Sequence, residues 1–328
     1  MARVKYRDSI RAAIAEEMRK DPDLIMIGEE IRQGYQGCFG VTKGLCDEFG
    51  PDRMIDTPIS EASIIGAALG ASMLGLKTIT EIMFEDFMTV CFDGIVNQAA
   101  KLRTISGGQY IPNMVIRAPG GAGGLGVQHS QCLESVFMHF PGLYIAMPSN
   151  AYDAKGLLKT AINYGHPVLF FEHQRLYNLE SEVPDDDYSI EFGKANIIKE
   201  GKDLTVVAFS YMAKVASDAI AKIEKDFGIT VELIDPRTLV PLDYDTIISS
   251  VKKTSKLVIV EEGVLRCGVG SEIAAQIQEV CFDWLDAPIK RIASKNYFIP
   301  LSPVTAEGVL PGVDSVYKDI VSYLSLAQ

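Results

Sequence analysis

Residues 56–84 read DTPISEASIIGAALGASMLGLKTITEIMF, and how this segment folds decides the fold class. After Glu61 no charge appears until Lys77, and the intervening residues are small and apolar. Residues 60–74 predict a helix and 77–84 (KTITEIMF) a buried strand, so the segment is one helix–strand unit of an α/β fold. Gly66 and Gly70 stand one turn apart inside that helix, each at a cost of about 1 kcal/mol relative to alanine. A helix with such a face is expected to let another surface come close.

The same alternation extends in both directions. Toward the amino terminus, residues 5–20 predict an amphipathic helix and LIMIG (24–28) a strand. Downstream come a helix over 87–104, the strand NMVIRAP, a glycine-rich loop and the strand LYIAMP. A helix near 151–164 and the strand PVLFFE follow. The pattern stops at LESEVPDDDYSIEFG (179–193), then resumes with LTVVAFS, ITVELIDP, KLVIVEEG and PIKRIA, separated by helices. Short apolar strands alternating with helices of 10–17 residues predict parallel sheets covered on both faces. The reading is α/β, two doubly wound domains: 1–185 and 199–328, joined by a linker over 186–198.

Composition narrows the function classes. The chain has 328 residues, 48% of them hydrophobic, and a mean hydropathy of +0.13. No uncharged apolar run reaches the roughly 18–20 residues that span a bilayer. The apolar excess therefore predicts a large core and a permanent subunit interface. A net charge of −12 without a basic stripe argues against nucleic acid as a partner. The six cysteines form no C-x-x-C pair and read as small buried hydrophobes in a reducing compartment. With no apolar signal core in MARVKYRDSIRAAIAEEM, the expected location is cytoplasmic.

Several short motifs fail on context. Gly121-x-Gly123-x-x-Gly126 has dinucleotide-fingerprint spacing, but the next strand ends AMPSN with no acid to hold a ribose. GASMLGLKT misses the phosphate loop by one leucine, and no G-x-S-x-G elbow occurs. His129, in VQHSQ, follows the end of a strand, where open α/β sheets bind ligands. It reads either as a structural loop histidine or as a catalytic one, and His173 is the next candidate. Glu61 has two readings as well. With Ser60 as N-cap it is an ordinary first-turn acid, favoured by the helix dipole; otherwise it is a functional carboxylate. Glu29 and Glu30 end a strand and are either solvated or face the same cleft.

DTPISEASIIGAALGASMLGLKTITEIMFEDFM, VNQAAKLRTISGGQ, QHSQ and NAYDAKGLLKTAI together resemble the beta subunit of thiamine-diphosphate-dependent 2-oxo acid dehydrogenases. That family includes the decarboxylating components for pyruvate and branched-chain 2-oxo acids, and acetoin dehydrogenase. MFEDFMTVCFDGIVNQAAK, EHQRLYNLESEVP and RCGVGSEIAAQI look most like the acetoin branch. The resemblance implies a pyrimidine-binding domain followed by a transketolase C-terminal-like domain. It implies that Glu61 bonds a ring nitrogen of the coenzyme's aminopyrimidine with a carboxyl whose pKa burial raises. It further implies that Phe87 stacks on the pyrimidine, that Met83 lines the pocket and that Glu29 lies near the coenzyme. His129 would assist proton transfer or orient the lipoyl acceptor. The G-D-G…N motif that holds diphosphate and Mg2+ in relatives is missing here, because FDGIVN falls inside a predicted helix. The resemblance therefore implies an alpha subunit completing the site, an α2β2 heterotetramer, and docking of a lipoyl acyltransferase core on the second domain. A potassium ion held by carbonyls of Ala161, Ile162 and Tyr164 is also implied, with His166 where relatives have Asn or Asp. The competing readings are a split transketolase subunit and a non-catalytic scaffold.

Overall fold

The computed structural model describes residues 2–32 and 34–326, which form two compact units. The first comprises residues 1–120 and 136–192, the second residues 121–135 and 193–328.

In the first unit the strands are β1 (Ala2–Lys5), β2 (Leu24–Glu29), β3 (Met54–Thr57), β4 (Lys77–Glu81), β5 (Met114–Gly120), β6 (Tyr144–Ala146), β7 (Val168–His173) and β8 (Glu180–Val183). The helices are α1 (Tyr6–Lys20), α2 (Leu45–Phe49), α3 (Glu61–Met73), α4 (Ala100–Ile105), α5 (Glu134–Met138, whose first two residues group with the second unit) and α6 (Ala151–Ile162). The main sheet runs β6–β7–β5–β4–β2–β3, and every one of these pairings is parallel. Fully buried strands such as LIMIGE and VLFFEH have no polar face because helices cover both sides of the sheet. A separate antiparallel pair, β1 with β8, is too polar to stand out in the sequence.

The predicted helix over 87–104 is broken into a 3-10 turn at Glu85–Thr89, a π-helical stretch at Gly94–Ala99 and then α4. Gly94 explains part of this. A Cβ there would lie 3.0 Å from Ile65 Cγ2 on the buried face of α3. The close approach expected at Gly66 and Gly70 thus occurs at Gly94. Gly66 and Gly70 face open space, and the α3 face formed by Ala62, Ser63, Gly66, Ala67 and Gly70 is exposed. Ser60 occupies the N-cap position without capping: its hydroxyl donates to the Pro58 carbonyl instead.

The second unit contains β9 (Asn196–Lys199), β10 (Leu204–Ala208), α7 (Tyr211–Phe227), β11 (Val231–Asp235), β12 (Thr238–Val240), α8 (Tyr244–Thr254), β13 (Leu257–Val264), α9 (Val269–Cys281), β14 (Lys290–Ser294), α10 (Pro303–Glu307) and α11 (Val313–Tyr323). Its five-stranded sheet runs β14–β13–β10–β11–β9 and is parallel except for the edge strand β9. That edge strand begins inside the segment read as linker. One core of Leu204, Val206, Ile220, Leu233, Val258 and Ile320, with neighbours, lies under α7 and α11. Residues 121–135 group with this unit, which the strand–helix pattern does not reveal. No described helix is long and apolar enough to cross a membrane. Of the free cysteines, Cys38, Cys91 and Cys281 are buried as expected, whereas Cys267 is exposed.

Candidate active site

In the first unit the carboxyl ends of β3, β2 and β4 lie side by side, and the candidate coenzyme residues gather there. Glu29 closes β2 and pairs in register with Thr57, the last residue of β3. Glu61 follows four residues later as the first residue of α3. Met83 and Phe87 lie just beyond β4, half-buried, with Phe87 edge-on to Phe84 at 5.8 Å. Crossover connections in a parallel sheet bring such loops to one edge, where ligands bind.

The electrostatics of this edge are set by crowded acids. Glu61 is 7% exposed and Glu29 is 6% exposed. Burial, then the negative charges of Glu61, Glu30 and Glu81, push Glu29 up to about 7. Burial, with Glu61 nearby, pushes the Cys91 thiol up to about 12. Glu29 Oε1 is buried with no hydrogen-bond partner among the described residues. An orphaned acceptor at a strand end is what a bound donor would satisfy, so the residues present fit a polar heterocycle.

Beneath these acids lies a network that sequence reasoning missed. Arg117 on β5 is fully buried. Its Nε and Nη2 donate to the two Glu172 oxygens at 2.6 and 3.0 Å, and its Nη1 donates to Glu81 at 2.6 Å. Glu81 also accepts the Cys38 N–H at 2.5 Å, and Glu172 accepts the Tyr177 hydroxyl at 2.6 Å. Cys38 Sγ donates to the Met83 carbonyl at 3.2 Å, which ties the network to the backbone just beyond β4. The two acids hold Arg117 charged against the cost of burial. A signal was present: KTITEIMF, NMVIRAP and PVLFFEH each carry one charge near the end of an apolar strand.

His129 belongs to the second unit, half-buried on the segment 121–135, and its N–H donates to the Gly126 carbonyl at 3.3 Å. No helix opens after the glycine loop, since α5 begins only at Glu134 and is five residues long. The dinucleotide fingerprint is thereby excluded. His173 is buried at the end of β7, with Nδ1 accepting the Arg175 N–H at 3.1 Å.

Comparison with known proteins agrees with this geometry. The family model described as transketolase, pyrimidine binding domain matches residues 2–180, and transketolase, C-terminal domain matches residues 193–316. A Bacillus subtilis protein named acetoin:2,6-dichlorophenolindophenol oxidoreductase subunit beta is 44% identical, over 96% of each chain. A Rickettsia felis protein named pyruvate dehydrogenase E1 component subunit beta is 43% identical, over 98% of this chain and 99% of its own. This chain belongs to the family of acetoin and pyruvate dehydrogenase E1 beta subunits. A solved split-gene transketolase, described as an inactive beta4 tetramer, superposes with TM-score 0.80 over 100% of both chains. At 21% identity that likeness shows the fold alone.

For an E1 beta subunit the potassium turn is poorly furnished. The Ala161 carbonyl already accepts the Tyr164 N–H at 3.2 Å. His166, at the position of the usual amide or acid, holds Arg103 Nη1 at 3.1 Å from its Nε2. Burial and that guanidinium depress the His166 pKa. A guanidinium held at His166 is a positive charge that disfavours a second cation there, which argues against potassium at Ala161, Ile162 and Tyr164.

Proposed function

We propose that this E1 beta subunit supplies the aminopyrimidine half of a thiamine-diphosphate site whose other half, with Mg2+, is held by an alpha subunit. The complex cleaves acetoin or oxidatively decarboxylates a 2-oxo acid such as pyruvate and passes the acyl group to lipoamide. The gathering of Glu29, Glu61, Met83 and Phe87 at the carboxyl ends of β2 and β4 and the start of α3 carries this reading.

When bound, thiamine diphosphate supplies a thiazolium carbon that becomes the nucleophile toward the substrate carbonyl. The buried Glu61 carboxyl would hold a hydrogen bond to a pyrimidine ring nitrogen, in a setting that few waters reach. Glu29, pushed up to about 7, keeps an acidic proton nearby around neutral pH. Phe87 offers a ring face, Met83 fits the irregular wall, and Arg117 keeps the floor rigid through Glu81 and Glu172. His129 acts near the reacting carbon in acyl transfer. The exposed face at Ala62, Gly66 and Gly70 is left for another subunit of an α2β2 assembly, and the second unit docks the acyltransferase core. The location is cytoplasmic.

The test is reconstitution. The chain alone is expected to be inactive, and to gain activity with an alpha partner, thiamine diphosphate and Mg2+. Acetoin, pyruvate and branched-chain 2-oxo acids are then compared on the complex. Turnover by the lone chain would remove the split-site reading.

A further inference from the structure

The segment 121–135 leaves β5 at Gly120 and carries His129 near its middle. Its base is closed by the Gly121 N–H donating to the Gln131 carbonyl at 3.1 Å. Between those points residues 123–125, 127 and 128 are exposed, whereas Ala122 and Ser130 are almost completely buried. A half-exposed tip on a buried base needs an anchor, and two adjacent acids at the carboxyl end of β13 provide it. Glu262 Oε1 accepts the Ala122 N–H at 2.5 Å. At the other foot Glu134 is buried beside Glu261: a Cβ on Gly263 would lie 3.9 Å from Glu134 Oε1 and 3.9 Å from Glu261 Oε2. Glu261 is itself fixed by the Gly270 N–H at 3.1 Å, and a Cβ on Gly268 or Gly270 would collide with its carboxylate at 2.6 Å. Glu262 is fixed through its backbone, whose carbonyl accepts the Ser294 hydroxyl at 2.5 Å.

We infer that Glu262 is a positioning residue, which sets the place of His129 by holding the loop at Ala122 while Glu134 seats the other foot against Glu261. The inference rests on the reading that His129 acts in acyl transfer. A carboxylate suits this task because it accepts a backbone N–H strongly and sits on the rigid central sheet. Glu134 Oε2 and Glu261 Oε1 each lack a partner among the described residues. Burial, with the charges of Glu261 and Glu262, pushes Glu134 up to about 8.

The experiment uses the complex reconstituted with its alpha partner, thiamine diphosphate and Mg2+. It compares Glu262→Ala, Glu262→Gln, His129→Ala and the double variant Glu262→Ala/His129→Ala, reading kcat, the KM for thiamine diphosphate and amide hydrogen exchange over 121–131. Displacing a reacting group by about 1 Å costs on the order of 10²-fold in rate. Glu262→Ala is therefore expected to lower kcat to that extent, leave the coenzyme KM unchanged and speed exchange in the loop. Glu262→Gln keeps most of the turnover because its amide oxygen still accepts the Ala122 N–H. The double variant is expected to be no slower than His129→Ala alone. Additive losses, or unchanged exchange in Glu262→Ala, would overturn the anchor while leaving the role of His129 standing. Full turnover by His129→Ala would instead overturn the reading of His129 beneath it. Should Glu262→Ala fail to assemble, Glu262→Asp, one methylene short of Ala122, takes its place with the same expected outcomes.

Discussion

Both units place buried carboxylates at the carboxyl ends of parallel strands, yet they satisfy them differently. In the first unit Glu81 and Glu172 are held by the guanidinium of Arg117. In the second, Glu261 and Glu262 are held by the backbone N–H groups of Gly270 and Ala122. Burial raises Glu81 on balance while Arg117 draws it downward, and the three bonds of Arg117 make a rigid floor. Backbone donors are individually weaker, so the second cluster keeps protons near neutral pH: Glu261 is pushed up to about 7 and Glu134 to about 8, chiefly by burial. The same fold thus yields a stiff platform in one unit and a proton-dependent seat in the other.

The comparison breaks first at Glu61. If the platform serves an acid–base carboxyl, Glu61→Gln lowers turnover of the reconstituted complex by about 10²–10⁴-fold. Turnover near that of the unaltered complex would leave only the scaffold reading. Next comes the cation itself. Arg117→Met strands Glu81 and Glu172, and is expected to cost about 3–5 kcal/mol in denaturant unfolding of the chain. Adding Glu81→Gln and Glu172→Gln is expected to restore much of that loss, because no buried charge is then left unpaired. A triple variant as unstable as Arg117→Met would show that shape, rather than charge, is what Arg117 provides.

The second cluster is tested by pH. Glu134 and Glu261 bind protons more tightly in the folded chain than in the unfolded one, where their ordinary value is about 4.5. The stability they contribute is complete below about pH 4.5 and disappears as pH rises through about 7 and then 8. The charged groups facing them are Glu262 and Arg291, the latter drawing Glu261 downward. Melting temperature is therefore expected to fall between about pH 4.5 and 8 and to level off above that, and the fall to flatten in Glu134→Gln. An equal slope in both proteins would place the titration elsewhere. The smallest effect is expected at the glycines. Gly66→Ala meets nothing within 4 Å and is expected to stabilise the isolated chain by up to about 1 kcal/mol. Gly94→Ala, pressed against Ile65, is expected to destabilise it. If Gly66→Ala also weakens assembly with the alpha partner, the exposed α3 face is a subunit contact.

Much of the first unit was legible because its strands are apolar runs and its helices have a clear period. The location of Glu61 at the start of α3 and of Glu29 at the end of β2 followed from that pattern, whereas their shared edge of the sheet was left open by it. What stayed hidden was polar or non-local. The β1–β8 pair has no apolar signature, and the π-helical stretch at Gly94 is imposed by packing on Ile65. Arg117 reads as an anomaly in one strand until two neighbouring strands deliver its acids. The potassium turn came only from the resemblance, already with His166 where relatives have Asn or Asp, and the Arg103 guanidinium that pairs with that histidine comes from sixty-three residues away.

The sequence by itself determined the alternation of strands and helices, because hydrophobic period and local turn chemistry are written in consecutive positions, and its long motifs carried the resemblance to the family. Only the tertiary structure decided which acids keep protons, which glycine is pressed against a neighbour and which unit holds the loop of His129. Those outcomes depend on charges and atoms brought within a few ångströms from distant parts of the chain, and no local pattern records such distances.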